Sequence, residues 1–252
     1  MPDVSLLRRA WRKVYWSLLH GVIERIDKRR LTRGDRTPLR LLPIVAPYTM
    51  AGYARLINAY QVVRRAEEAR IVGAIVECGV FKGGAAGMMT MAASPQRAVW
   101  LFDSFEGLPE PTAEDGEKAV VYAGDRSGGA LQPIDRCVGP LESVEDLFFE
   151  KLKIDRRRVM IRKGWFQDTL PIARNEIGPV AVLRLDGDWY DSTKVCLDNL
   201  YDLVSPGGYV IIDDYGYWEG CRRAVDEFLA ARRLRVDLVP IDDSGVWFQV
   251  PC

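Results

Sequence analysis

Between residues 71 and 214 the chain alternates short, almost wholly apolar runs with stretches of helical spacing. The runs are "GAIVECGV", "AVWLFDS", "RVMIRKG", "VAVLRLDG" and "GGYVIIDD". A strand with one wet face alternates apolar and polar residues, so runs that lack the alternation predict strands buried on both faces. Five such strands separated by helices predict a mostly parallel sheet covered on both sides, an α/β fold. The last two segments differ. "LRVDLVPID" and "GVWFQV" are separated by "DSG", a hairpin signal, so the sheet is expected to finish in an antiparallel pair. "GYARLINAYQVVRRAEEA" (52–69) predicts a helix before the first strand, and the Gly-, Pro- and charge-rich stretch 110–133 predicts a long surface loop.

Ahead of this pattern lies a segment of another kind. Leu7, Trp11, Tyr15, Leu18, Leu19, Val22 and Ile26 recur at helical spacing among basic and polar residues, predicting an amphipathic helix over 5–28. "TRGDRTPLRLLPIVAP" (32–47), with three prolines, reads as a linker. Residues 1–45 carry eleven Lys/Arg against four Asp/Glu, a surplus of about +7 that the remainder balances at about −7. The expected organisation is a basic helical extension and linker over 1–46 and one domain over 47–252. The helix is expected to pack between subunits, although Trp11, Trp16 and the basic flanks also suit a weak contact with an anionic membrane surface. An acidic body without a recognised motif argues against nucleic acid. No apolar run reaches the length of a membrane span. Five scattered cysteines without a CxxC pair, and His20 as the sole imidazole, argue against a disulfide framework, a structural zinc site and a Ser-His-Asp triad. A cytoplasmic location is the expectation.

Ligands of open α/β sheets bind beyond the carboxyl ends of the strands, where strand order reverses. Near those ends the runs carry Glu77, Asp103, Lys163, Asp186 and the adjacent Asp213 and Asp214. So many carboxylates on one rim exceed what turns require. "ECGVFKGGAAG" (77–87) follows the first strand and opens a helix; Gly79, Gly83, Gly84 and Gly87 allow a tight turn and close approach of a ligand. Asp103, about 25 residues further on, is placed for ribose hydroxyls. A Walker Lys-Ser/Thr pair is absent. Glu77 would repel a pyrophosphate but suits the amine of an amino-acid-like ligand, which favours S-adenosylmethionine over NAD. Asp186, Asp213 and Asp214, without histidine or cysteine, describe a site for a hard cation such as Mg²⁺ or Mn²⁺. That cation would offset the repulsion between neighbouring aspartates. Asp188 and Asp191 read as turn or cap residues. Asp186-Gly187-Asp188 also reads as the DxD of a glycosyltransferase, and a non-catalytic binding module on the same fold is a further alternative.

The stretches "PYTMAGYARL", "VECGVFKGGAAGMM", "DSFEGLP", "KGWFQDTLP", "LRLDGDWYDST" and "VSPGGYVIIDDYGYWEGCRRAVDEF" occur in order over residues 47–250. Together they resemble the macrocin O-methyltransferase family, which methylates sugar hydroxyls on macrolides and related glycosides. The resemblance implies a class I methyltransferase (Rossmann-like) fold, S-adenosyl-L-methionine as donor, a Mg²⁺ requirement, a glycoside or glycolipid substrate and homo-oligomerisation. It carries Asp186, Asp213 and Asp214 over as metal ligands, with Asp186 also the catalytic base. It places Thr49, Glu77, Gly79, Asp103 and Ser104 on the cofactor, and Gly164, Trp165 and Phe166 at the rim beside it. The departures lie in the first 45 residues and in 110–150, segments that in this family would shape the acceptor site.

Overall fold

A computed structural model describes residues 35–252. The helix expected over 5–28, and with it the subunit-packing and membrane-surface readings, lies outside the described residues. The chain divides into two units, Met1–Pro43 and Ile44–Cys252. The stretch read as a linker is helical instead: α1 covers Thr37–Val45, and a 3₁₀ turn follows over Ala46–Tyr48. The Asp35 carboxylate accepts the Thr37 N–H at 2.8 Å, and Pro38 stands in the first turn, where no donor is required. Pro38 near the helix start is compatible with the helix, and Pro43 stands inside it, so proline count alone misled.

Seven strands form one sheet: β1 Ala74–Cys78, β2 Val99–Asp103, β3 Val159–Lys163, β4 Val180–Leu185, β5 Val204–Ile212, β6 Val239–Pro240 and β7 Val246–Gln249. Their order is β3-β2-β1-β4-β5-β7-β6. The first five are parallel, and β7 runs antiparallel to both β5 and β6, as the hairpin signal predicted. The helices are α2 Tyr53–Glu68, α3 Gly84–Ala92, α4 Gly116–Tyr122, α5 Leu141–Glu145, α6 Phe166–Ile177, α7 Tyr190–Leu200 and α8 Glu219–Ala231. Strand residues alternate between the two faces. Val76, Phe102, Leu183 and Val210 pack with Leu170 of α6, Leu197 and Leu200 of α7, and Val225 and Phe228 of α8. The intervening Ile75, Leu101, Val182 and Ile211 are equally buried, on the face that α2 and α3 cover. β1 and β4 therefore need apolar residues at nearly every position.

Two expectations are corrected. β3 is an edge strand, half-buried with Lys163 exposed, because a strand with one neighbour is only partly covered. The stretch 110–133 is not simply a loop; it holds a 3₁₀ turn over Ala113–Asp115 and then α4. Thr112 and Asp115 form a reciprocal cap there, with the buried Asp115 also accepting the Tyr190 N–H at 2.6 Å. The cap fixes the turn, and Ala119 and Ala123 bury the helix face against the core.

Candidate active site

Strand order reverses between β1 and β4, since the chain leaves β1 for β2 on one side and returns to β4 on the other. A cavity of about 530 Å³ opens at the carboxyl ends of these strands, where such a sheet holds its ligands. Every residue expected at the site lines it: Thr49, Glu77, Gly79, Asp103, Ser104, Gly164, Trp165, Phe166, Asp186, Asp213 and Asp214. Lys163 and Asp191 do not.

At the β1 end the glycine turn serves a purpose the sequence did not disclose. Gly79 has φ +87°, and a Cβ there would stand 1.7 Å from the Asp186 carbonyl oxygen. Its bareness answers to the backbone of the β4 loop. A Cβ on Gly84 would stand 2.6 Å from the Thr49 Cβ, so that glycine lets the Thr49 segment close on α3. Gly79→Ala is accordingly expected to lose about 3 kcal/mol of stability, read as a fall in urea midpoint at unchanged slope. An alanine variant as stable as wild type would remove this account of the turn.

Asp103 also has a role beyond the one expected. Its Oδ2 accepts the N–H groups of Val80 (2.7 Å) and Phe81 (2.8 Å), and its Oδ1 that of Phe105 (2.7 Å). Phe81 and Phe105 stand at φ +52° and +58°, strained for L residues, and the carboxylate holds both. A carboxylate has about four acceptor positions, so one remains for a ligand hydroxyl. Burial raises the Asp103 pKa against the pull of the three N–H groups. The Ser104 hydroxyl is used locally, donating to the Gly107 carbonyl and accepting the Glu106 N–H. Gly164 (φ +140°) donates its N–H to the Asp103 carbonyl and turns the chain into α6, which Trp165 caps and Phe166 begins.

Sequence reasoning passed over Arg184, although a basic residue inside a doubly buried strand is itself a signal. Register places it opposite Glu77 of β1 and Ile211 of β5, two residues before Asp213. Its Nη1 donates to Glu77 Oε1 at 2.5 Å; its Nη2 donates to Asp213 Oδ1 at 2.5 Å and lies 3.0 Å from Asp186 Oδ2. Arg55, from α2, reaches Asp213 Oδ2 at 2.5 Å and Asp242 at 3.0 Å. Asp213 thus has two guanidinium partners, and its countercharge is already in place. Desolvation pulls the Arg184 pKa down, but Asp213, Asp186 and Glu77 outweigh it and hold the group charged. Burial pushes Glu77 up to about 8 against the pull of Arg184. Its Oε2 is buried with no hydrogen-bond partner among the described residues.

The carboxylates that converge are Asp186, Asp188 and Asp214, each offering an oxygen within 4.8 Å of the others. This differs from the expected trio: Asp213 is turned onto its arginines, and Asp188, read as a turn residue, takes its place. The Trp218 indole donates to Asp188 Oδ1 at 2.6 Å and holds it at φ +56°. Burial, then the neighbouring Asp186, pushes Asp188 up to about 7; burial and Asp213 push Asp186 up to about 6. Asp214 stands well above the carboxylate range, from burial and from Asp188, Asp186 and Asp213. Its Oδ2 is buried and unpartnered among the described residues. An all-oxygen set with an orphaned buried acceptor fits a hard divalent cation. Around it Tyr122 of α4, Trp218 and Tyr217 form an aromatic wall; the Trp218 ring lies 5.4 Å from that of Tyr122 and 4.8 Å from that of Tyr217. Reading 110–133 as a loop hid Tyr122. The five cysteines are free, and no described helix is long and apolar enough to cross a membrane.

The profile described as Macrocin-O-methyltransferase (TylF) matches residues 9–250. The demethyldecarbamoylnovobiocin O-methyltransferase of Streptomyces niveus is 40% identical, over 80% of this chain and 75% of that protein. The 8-demethyl-8-(2,3-dimethoxy-α-L-rhamnosyl)-tetracenomycin-C 4′-O-methyltransferase of Streptomyces olivaceus is 37% identical, over 82% of this chain and 77% of its own. The structure superposes on that of the O-methyltransferase NovP with a TM-score of 0.70 at 36% identity, covering 81% of this chain and 83% of the other. These similarities decide against the glycosyltransferase reading of Asp186-Gly187-Asp188 and against a non-catalytic module. With an intact acidic pocket at the strand ends of a class I methyltransferase fold, the chain belongs to the macrocin O-methyltransferase family and is an O-methyltransferase.

Proposed function

We propose that the protein transfers a methyl group from S-adenosylmethionine to a sugar hydroxyl of a glycosylated, macrolide-like natural product, with Mg²⁺ at the acidic end of its cavity. One observation carries this: Glu77, which has an unpartnered buried carboxylate oxygen, and the cluster Asp186, Asp188 and Asp214 line a single cavity. Glu77 Oε2 suits the amine of the methionine moiety, and the remaining acceptor position of Asp103 suits a ribose hydroxyl. The Streptomyces olivaceus relative, named for a rhamnosyl substrate, supports a sugar as acceptor.

The transfer breaks the methyl–sulfur bond of a sulfonium and forms a methyl–oxygen bond; a neutral thioether leaves and the hydroxyl proton passes to a carboxylate. The donor is already activated, so alignment of the acceptor supplies much of the acceleration. Asp186 is the proposed base, close to the pocket ends of both β1 and β4. Asp186 and Asp214 would hold the cation, joined by Asp188 as the carboxylates stand or by Asp213 if Arg55 releases it. What such an ion supplies is positive charge beside a hydroxyl losing its proton.

Titration calorimetry should show binding of S-adenosylmethionine and of S-adenosylhomocysteine. Tight binding of NAD or a sugar nucleotide, with neither sulfur ligand bound, would overturn the proposal.

A further inference from the structure

Arg184 has no part in the transfer set out above, yet its buried guanidinium bridges Glu77 and Asp186, which both line the cavity. A single carboxylate is enough to compensate a buried guanidinium, and Asp213 is available for that. The observed arrangement goes further. The fork divides: one nitrogen holds Glu77, on β1, and the other holds Asp213 and Asp186, at the ends of β5 and β4. Meanwhile Asp213 keeps a second cation of its own in Arg55.

We infer that Arg184 is a positioning residue, locking the cofactor-facing carboxylate of Glu77 and the acceptor-facing carboxylate of Asp186 in one fixed relation. This rests on reading Glu77 as the cofactor's amine site. With Oε1 held by Arg184, rotation of the Glu77 carboxylate is stopped and Oε2 is kept in place without a partner among the described residues. The other nitrogen does the same for the Oδ2 of Asp186. The donor and acceptor ends are then spaced by one rigid plane instead of two independent side chains. Lysine conserves the charge but, as a point charge on a flexible stem, does not span carboxylates on separate strands.

The test is a double-mutant cycle read by calorimetry with S-adenosylhomocysteine, on wild type, Arg184→Lys, Glu77→Gln and the double variant. Arg184→Lys is expected to raise Kd roughly tenfold. In the Glu77→Gln background the same change should alter Kd by less than about twofold, since the carboxylate it positions is gone. Equal factors in the two backgrounds would overturn the inference, because a general loss of structure adds independently of Glu77. Should Arg184→Lys not fold, Glu77→Asp tests the same point by keeping the charge and drawing it back toward β1. It too should weaken binding roughly tenfold, and unchanged affinity would overturn the inference. Wild type that binds no S-adenosylhomocysteine removes the proposed function along with it, whereas normal wild-type binding with indifferent Arg184 variants removes this inference alone.

Discussion

Asp186→Ala is expected to lower methyl transfer by about a thousandfold or more while leaving S-adenosylhomocysteine affinity within about threefold of wild type. The size of the loss follows from how many tasks converge on this side chain. Asp186 is the proposed base, one of the three converging carboxylates, and a partner of Arg184 at 3.0 Å. The cofactor end rests on Glu77 and Asp103, which Asp186 does not hold directly. Single-turnover rates with a saturating donor, beside calorimetry, separate the two effects. A variant with an intact rate would clear Asp186 of the chemistry.

The second large effect concerns the cation and pH together. In the unfolded chain these aspartates titrate near 4. In the fold, burial and mutual repulsion raise Asp186 to about 6, Asp188 to about 7 and Asp214 well above the carboxylate range. Folded pKa values above the unfolded ones mean that the native state binds more protons across this window. Stability is therefore present at low pH and lost as pH rises through 6 and 7. Protein freed of divalent ions should melt roughly 5 °C lower at pH 8 than at pH 5.5. Saturating Mg²⁺ should reverse most of that fall by binding the ionised native state. Asp188→Asn with Asp214→Asn should lose the response to the ion and lessen the fall, of which Asp186 and Glu77 keep a part. Full activity in excess EDTA, with a melting temperature indifferent to Mg²⁺, would leave these acids without a metal.

Lysine substitution at Arg184 and the absence of a side chain at Gly79 belong to the same picture at smaller amplitude. Arg184 and the bare Gly79 both hold the β1 and β4 ends together, one by charge and one by close approach. The acids of the site are presented by those two strand ends and the end of β5, so their separation depends on the sheet.

Much of this was legible from residue order alone. Apolar runs without alternation announced a doubly covered parallel sheet, because burial on both faces leaves few positions for polar residues. The "DSG" turn announced the antiparallel close, and polar residues at strand ends marked the rim on which every expected site residue was found. These are local or periodic properties, and periodicity is written in one dimension. What only the tertiary structure decided are relations between strands. That β3 is an edge follows from strand order, which the run "RVMIRKG" does not encode. That α4 brings Tyr122 to the cavity follows from the Thr112–Asp115 cap and the packing of two alanines, in a segment whose composition resembles a loop. That Asp213 faces Arg184 and Arg55 while Asp188 turns inward depends on the β1–β4–β5 register, a helix lying over the strand end and the Trp218 indole. A charge in a sequence states only its sign. Which partner compensates it is a matter of distance, and distances between separate strands exist only once the sheet has formed.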